Sequence, residues 1–226
     1  MSTRDSVFGS SSQAFVHLSK DSRVHLWDVA SKKERKSYVD KNHLTHSFTS
    51  HAWKTSSKDQ TGGIFVAGYS DGLVGIWDLN RGVQSQVIGK ANESEVPTDI
   101  VFSNDAKSIF VSSNENQIVQ YDVATGKEIN SIKTGKKGSL KLAMNPKVDV
   151  IAAARYANTQ TPPCTHCVFS SSMYLMLSRC SFSFTCSSSI KIIDVESGRK
   201  RKLEASFSGG ISALTFTPCV LPMLPI

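Results

Sequence analysis

The chain has 226 residues, 39% of them hydrophobic, which is enough to build a sizeable core. The longest apolar stretch of its cysteine-rich segment, 173–177, is far shorter than the roughly 18 to 20 residues of a bilayer helix, so we predict no membrane-spanning segment. The 26 Lys and Arg exceed the 19 Asp and Glu, giving a formal charge of +7, and basic proteins attract phosphate backbones.

The amino-terminal residues 1–8 lack the basic start and apolar centre of a secretion signal, so we expect an intracellular protein. In a reducing compartment the five cysteines are expected to be free thiols rather than a disulfide framework. Their odd number agrees with that expectation.

Four segments of the chain can be superimposed on one another. They are Arg23–Asp28, 73–78, 118–122 and Ile190–Asp194, and they end at Asp28, Asp78, Asp122 and Asp194. Each alternates apolar and polar residues and leads through a short polar link into a second alternating run, which predicts an antiparallel hairpin. The first two intervals between the repeat aspartates are 50 and 44 residues. A period of this length built only from strands indicates an all-β chain with the β-propeller fold.

Further strands are predicted around these repeats. In chain order they are Ala14–Leu18, 99–102, 108–112, 128–132, Leu140–Met144, 150–153 and 211–216. The unit around the third repeat is a complete four-stranded blade. No inner strand is predicted ahead of Ala14–Leu18, so the first blade is expected to lack one.

The third interval between repeat aspartates is 72 residues, because the segment 158–187 separates two strands of the fourth blade. It holds four of the five cysteines, a Pro162-Pro163 pair and one charged residue, Arg179, and it is not expected to form a blade. Three explanations remain open: a gene-model artefact, a disordered loop, or a zinc-binding insertion based on Cys164 and Cys167. Cys180 and Cys186 would form a poor second pair, because six positions separate them.

The predicted propeller is incomplete, with about four blades and one strand of a fifth. We divide the chain into 1–157 with blades one to three and the start of blade four, the insertion 158–187, the remaining strands in 188–218, and an irregular tail at 219–226. An open propeller leaves a strand edge and an apolar face uncovered, so we expect a marginally stable or partner-dependent fold. We interpret the chain as a truncated or alternatively spliced form of a longer protein.

Two of the repeats resemble the signature of WD-repeat proteins. Trp27 and Asp28, and again Trp77 and Asp78, occur at blade spacing. In that family an Asp six residues before the Trp lies in the tight turn between the second and third strands and anchors the blade. Asp21 and Asp71 occupy that position here.

The resemblance weakens towards the carboxyl terminus. The Asp and Trp positions hold Glu115 and Tyr121 in the third repeat and Ser187 and Ile193 in the fourth, and the family's Gly-His pair is replaced by Gly89-Lys90 and Gly135-Lys136. The family's hydrogen-bonded tetrad therefore cannot close in those blades, and it contributes less to their stability.

Three segments, 15–28, 68–79 and 190–200, resemble the N-terminal propeller of the nucleolar WD-repeat proteins of the transcription-linked subcomplex of the U-three small-subunit processome. The resemblance covers nearly all of the chain outside 158–187 and the last residues. This resemblance implies a non-catalytic scaffold in the nucleus and nucleolus, acting in small-subunit pre-rRNA processing and its coupling to rRNA transcription. The implied partners are other WD-repeat subunits, with pre-rRNA and the U-three small nucleolar RNA as further candidates. Two alternatives stay open: a general WD-repeat adaptor with protein partners only, and a non-functional truncated isoform.

Basic residues cluster near the predicted outer strands. One cluster is Lys32, Lys33, Arg35 and Lys36, and the other is Arg199, Lys200, Arg201 and Lys202. Charged side chains on an outer strand also discourage edge-to-edge pairing of sheets. Both edge protection and an RNA or acidic-partner surface are therefore compatible with these clusters.

The sequence carries no recognised catalytic motif, and we predict neither an enzyme nor a cofactor or small-molecule substrate. His43, His46 and His51, with Asp40 or Asp59, could form a metal cluster. If residues 44–53 form one strand, however, His46 and His51 lie on opposite faces of the sheet, so we predict no metal site.

Overall fold

The computed structural model describes residues 6–8, 13–19, 23–39, 46–55, 63–89, 95–135, 138, 140–155, 165–170, 175–177, 190–202 and 211–217. Within these ranges the chain forms strands and turns and no helix, which confirms the predicted all-β class. Consistent with this, none of the described segments is a long apolar helix of the kind that crosses a membrane.

Four antiparallel sheets of four strands follow one another along the chain. The first sheet contains β1 (Ser6–Phe8), β2 (Ala14–Leu18), β3 (Arg23–Asp28) and β4 (Lys33–Val39). The second contains β5 (Phe48–Lys54), β6 (Ile64–Tyr69), β7 (Val74–Asp78) and β8 (Val83–Ile88). The third contains β9 (Pro97–Phe102), β10 (Ser108–Ser113), β11 (Gln117–Asp122) and β12 (Glu128–Lys133). The fourth contains β13 (Leu140–Met144), β14 (Val150–Arg155), β17 (Ile190–Asp194) and β18 (Lys200–Lys202).

The third strand of each sheet ends at a repeat aspartate, as the aligned segments predict. The expectation that the first sheet lacks an inner strand is wrong: β1 pairs with β2, and Val7 lies opposite Val16. With only three residues, β1 is too short for an alternating pattern to be recognised, and its pairing with β2 defines it instead.

The first strands of the sheets lie side by side around a common axis. The first strand of one sheet lies next to the first strand of the following sheet, so that β5 neighbours β9 and β9 neighbours β13. Because the remaining strands of each sheet follow in chain order away from that axis, the sheets are arranged as in a β-propeller.

A fifth sheet includes part of the inserted segment 158–187. Its strands are β15 (Thr165–Ser170), β16 (Leu175–Leu177) and β19 (Ile211–Thr217). β15 pairs antiparallel with β16 and parallel with β19, and β19 lies next to β13. The parallel pairing joins distant parts of the chain, so local periodicity did not reveal it. The domain boundaries and the origin of the insertion stay predictions.

The core lies between neighbouring sheets. Val16 and Leu26 of the first sheet pack in one cluster with Phe65 and Trp77 of the second. A second cluster joins the second and third sheets, and a third cluster joins the third and fourth. β6 is buried on both faces because a sheet packs against each, whereas β2 alternates buried and half-buried residues.

Candidate functional site

The four repeat aspartates hold the turn between the third and fourth strands of their sheets. One carboxylate oxygen of each accepts a hydrogen bond from the backbone N–H three residues later. The donors are Ser31 for Asp28 at 2.7 Å, Arg81 for Asp78 at 3.1 Å, Thr125 for Asp122 at 2.7 Å and Ser197 for Asp194 at 2.7 Å. The side chain thus replaces a backbone acceptor and stabilises the turn.

A left-handed residue follows four positions after each repeat aspartate. It is Lys32 with φ 56°, Gly82 with φ 74°, Gly126 with φ 69° and Gly198 with φ 64°. Each of the three glycine N–H groups donates to the backbone carbonyl of its aspartate, at 2.7 to 3.0 Å. Three of the four hairpins also contain a register shift near the aspartate, where the fourth strand has one extra residue: Arg35, Ser85 or Ile129. The repeated aspartate and the left-handed residue after it therefore act together to form the turn between the third and fourth strands.

These hydrogen bonds favour the ionised carboxylates. The backbone and side-chain hydrogen bonds of Ser31, followed by those of Arg35, lower the pKa of Asp28 to about 2. The Asp28 side chain is only 9% exposed, and the Arg35 guanidinium forms an ion pair with it. Hydrogen bonds from Thr125 and Ser197 likewise lower the pKa of Asp122 and of Asp194.

This arrangement predicts a loss of stability in acid. A carboxylate with a lowered folded-state pKa stabilises the fold above its unfolded pKa of about 3.9 and loses that contribution as the pH falls towards the folded value. We therefore expect the urea midpoint to fall between about pH 4 and pH 2, and to fall less steeply in Asp28→Asn, whose amide oxygen still accepts from Ser31. Equal slopes for both proteins would contradict this role of Asp28.

Asp71 and Trp77 of the second sheet are connected by the side chains of His46 and Tyr69. Trp77 Nε1 donates to the Tyr69 hydroxyl at 3.3 Å, and the Tyr69 and His46 rings are 4.1 Å apart. His46 Nδ1 lies 3.3 Å from a carboxylate oxygen of Asp71, whose other oxygen accepts from the N–H of Leu73 at 3.2 Å. A line of four polar or aromatic side chains thus connects the tight turn to Trp77.

Two members of this line were missed. β5 begins at Phe48 rather than at residue 44, so His46 precedes the strand, and the prediction that placed it on one strand with His51 is wrong. Tyr69 lies two residues before Asp71. This spacing from the turn could have indicated from the sequence that Tyr69 lies close to Asp71. Asp21, the corresponding position of the first repeat, lies outside the described residues.

A different polar contact connects the third and fourth sheets. Asp99 Oδ2 accepts from the N–H of Leu142 at 2.8 Å, and Lys141 Nζ lies 3.7 Å from the other carboxylate oxygen. The Thr98 hydroxyl donates to the carbonyl of Leu140 at 3.2 Å. Burial raises the pKa of Asp99, although Lys141 acts in the opposite direction. These contacts join β9, the first strand of the third sheet, to β13, the first strand of the fourth, and fix the position of one sheet against the other.

The first basic cluster lies on β4 and the turn before it. Lys33, Arg35 and Lys36 are exposed, and Lys32 is in the turn. Arg35 is paired with Asp28, and Glu34 of the same strand lies 2.9 Å from His25. Part of the positive charge of this strand is therefore balanced locally.

The second basic cluster is more concentrated. Arg199 precedes β18, whose residues Lys200, Arg201 and Lys202 are all exposed. Lys191 lies opposite Lys202 in the hairpin, so the sheet adds a fifth cation that was not singled out from the sequence. Within the described part of the chain, no ion pair joins the three β18 cations to a carboxylate.

The cluster also reaches the neighbouring sheet. Lys200 Nζ donates to the backbone carbonyl of Lys133, and Lys191 Nζ donates to that of Thr134. The side chains of Lys191 in β17 and Lys200 in β18 are thereby held at the junction of the third and fourth sheets. Aligning the β17 and β18 sequences as a hairpin would have placed Lys191 opposite Lys202 and so included it in the second basic cluster.

No metal cluster is found where the structure describes the chain: no three His, Cys, Asp or Glu side chains come together there. The candidates Asp40, His43 and Asp59 fall outside the described residues, as do Cys164, Cys180 and Cys186. The backbone of Cys167 lies in β15.

The chain matches no family model, and no curated protein matches it. Among solved structures, it is similar to a hydrazine synthase from Kuenenia stuttgartiensis, with a TM-score of 0.63 and 15% identity. The similarity covers 88% of this chain and 49% of that chain, so this chain spans about half the length of that neighbour. At this identity, the similarity supports the β-propeller-like fold and says nothing about activity.

Proposed function

We propose that this chain is a non-catalytic scaffold of nucleolar ribosome biogenesis that acts in small-subunit pre-rRNA processing and its coupling to transcription. In this proposal it is an incomplete WD-repeat β-propeller with four blades and the first strand of a fifth. Its partners are WD-repeat subunits of a processome subcomplex, together with pre-rRNA or the U-three small nucleolar RNA. The resemblance of the repeats to those of nucleolar WD-repeat proteins supports this assignment.

The observation that carries the RNA-binding part is the basic cluster at the junction of the third and fourth sheets. Lys200, Arg201 and Lys202 are exposed on one outer strand, next to Lys191 and Lys133. Grouped cations of this kind neutralise successive phosphates of a nucleic-acid backbone and release its counterions.

Five of the described carboxylates have structural roles. Those of Asp28, Asp78, Asp122 and Asp194 hold turns, and that of Asp99 accepts a hydrogen bond from the neighbouring sheet. These contacts give the proposed scaffold defined turns and a defined junction between its third and fourth sheets.

The RNA-binding part can be tested by replacing Arg199, Lys200, Arg201 and Lys202 together with Ser. We expect weaker binding of a fluorescein-labelled single-stranded RNA and a slope of log affinity against log salt that is shallower by about 2 to 3, because up to four phosphate contacts are lost. Fluorescence anisotropy at several salt concentrations gives both values.

The matched control replaces Lys32, Lys33 and Lys36 with Ser, removing exposed charges from another outer strand. We expect a smaller change in the salt slope, because three charges rather than four are removed, Arg35 is paired with Asp28, and Glu34 adds a negative charge to that strand. An unchanged slope in the Arg199–Lys202 variant, or equal changes in both variants, would rule out a specific role for the second cluster.

A general WD-repeat adaptor with protein partners is the second candidate. The partly balanced charge of β4 favours it, since that strand then offers both acidic and basic groups to a protein surface. A nucleolar scaffold should leave nucleoli when rRNA transcription is stopped, whereas an adaptor should not respond. Fluorescence microscopy of the tagged chain separates the two.

A further inference from the structure

A pocket of about 480 Å³ opens between the second and third sheets, at the strand ends that carry the repeat aspartates. Ile64 and Ile76 line it from the second sheet, and Ala106 and Val123 line it from the third. Ile76 and Val123 belong to the hydrophobic cluster that joins the two sheets. The floor of the pocket is therefore formed by the edge of that cluster. The volume is within the roughly 300 to 1,000 Å³ of typical ligand sites.

The outer wall of the pocket is held in place by the turn that follows Asp122 in the third sheet. Asp122 fixes the turn through Thr125, with hydrogen bonds of 2.7 Å from its N–H and 2.8 Å from its hydroxyl. The Gln86 amide of β8 donates to the carbonyl of Ala124 in that turn. A ligand therefore meets a formed pocket and does not have to order its walls, which lowers the cost of binding.

The rim of the pocket is acidic in a protein that is otherwise basic. Its carboxylates are Asp78 and Asp122, and its cation is Lys107. Lys107 lies 3.9 Å from Asp105, and Arg81 lies 3.6 Å from Asp78; both cations are more than 80% exposed, so these pairs are weak. Among the lining residues, two carboxylates against one cation leave a net negative charge at the mouth, whereas the whole chain carries +7.

We propose that this pocket binds a short segment of a partner protein in which an apolar side chain is flanked by Lys or Arg. The apolar side chain enters between Ile76 and Val123, and the flanking cations pair with Asp78 and Asp122. This proposal does not depend on the RNA-binding proposal, which concerns the junction of the third and fourth sheets.

The test uses the full chain with ¹³C-labelled isoleucine methyl groups and three acetylated, amidated peptides. Lys-Leu-Phe-Lys carries both features, Glu-Leu-Phe-Glu reverses the charge, and Lys-Ser-Ser-Lys lacks the apolar side chains. We expect Lys-Leu-Phe-Lys alone to produce saturable shifts of the Ile64 and Ile76 methyl signals, because these side chains line the pocket.

Two variants locate the binding. Asp78→Asn with Asp122→Asn removes the rim charge but keeps the oxygen that accepts the turn hydrogen bonds, and we expect about three- to tenfold weaker binding of Lys-Leu-Phe-Lys. Ala124→Trp adds bulk at an exposed rim position and should abolish the saturable shifts. Cooperative thermal unfolding of each variant verifies that it is folded.

The proposal is overturned by the absence of saturable shifts in the unmodified chain. It is also overturned if Lys-Ser-Ser-Lys binds as well as Lys-Leu-Phe-Lys, since the pocket would then not recognise the apolar group. Equally strong binding of Glu-Leu-Phe-Glu overturns it as well, since the pocket would then not recognise the positive charge. Unchanged binding to a folded Ala124→Trp variant would place the peptide elsewhere and would equally contradict it.

Discussion

Replacing Gly126 with Ala is expected to lower the free energy of unfolding by about 2 to 5 kcal/mol, a large effect for a single methyl group. Gly126 has φ 69°, where an L-residue is strained by roughly 1 to 2 kcal/mol. A Cβ there would also lie 2.5 Å from Gln86 Oε1 and 2.7 Å from Ile88 Cγ2, so the added methyl group would push the turn away from β8. Urea unfolding measures the change.

Gly198→Ala is the matched control, because it separates backbone strain from the clash. Gly198 occupies the same turn position with φ 64°, but a Cβ there meets nothing within 4 Å. We expect a loss of only about 1 to 2 kcal/mol. Lys32→Gly, the reverse change in the first sheet, should stabilise by about 0.5 to 1 kcal/mol. Equal losses for Gly126→Ala and Gly198→Ala would contradict close packing of the third sheet's turn against β8.

Replacing Phe65 with Ala is expected to destabilise the chain by about 3 to 5 kcal/mol, because Phe65 is fully buried between the first and second sheets. Its ring packs in one cluster with Val16, Leu26 and Tyr38 of the first sheet, so truncation leaves a cavity in the junction. The measurement is the free energy of unfolding from urea titration, followed by fluorescence.

Phe15 is the corresponding residue of the first sheet and provides the control. Phe15 lies opposite Trp27 as Phe65 lies opposite Trp77, but Phe15 is only half-buried. Phe15→Ala should therefore cost less than Phe65→Ala, since less apolar surface returns to water. A larger loss of stability for Phe15→Ala than for Phe65→Ala would contradict the packing of Phe65 between the first and second sheets.

The repeated hairpins could be predicted because their information is local. The alternating residues of Arg23–Asp28 and Ile190–Asp194 define strands whose bounds the structure reproduces. Asp followed by Gly four positions later sets the end of the strand and the shape of the turn within one short stretch of chain. Such features need no knowledge of what packs against them.

The features that escaped prediction depend on distant contacts. β1 and the pairing of β15 with β19 are defined by their partner strands, and the contact between His46 and Asp71 joins residues on either side of a hairpin. The pocket at Ile76 and Val123 likewise requires the relative position of two sheets. The basic character of β18 was visible in the sequence, but the addition of Lys191 required the register of the hairpin.

The charges of the chain are divided between two tasks. Aspartates hold turns and sheet junctions, whereas the cations of β18 remain exposed and without a carboxylate partner in the described residues. This division leaves positive charge exposed on β18, as the proposed binding of an anionic partner requires.

The proposed function requires that this chain assembles with pre-ribosomal RNA. The most direct measurement is to purify the tagged full chain from growing cells at moderate salt and to sequence the RNA that accompanies it, alongside the Arg199–Lys202 serine variant. We expect enrichment of pre-rRNA and of the U-three small nucleolar RNA with the unmodified chain, and reduced enrichment with the variant. A soluble, cooperatively folded chain that enriches neither RNA would contradict the scaffold assignment and favour the protein-binding adaptor.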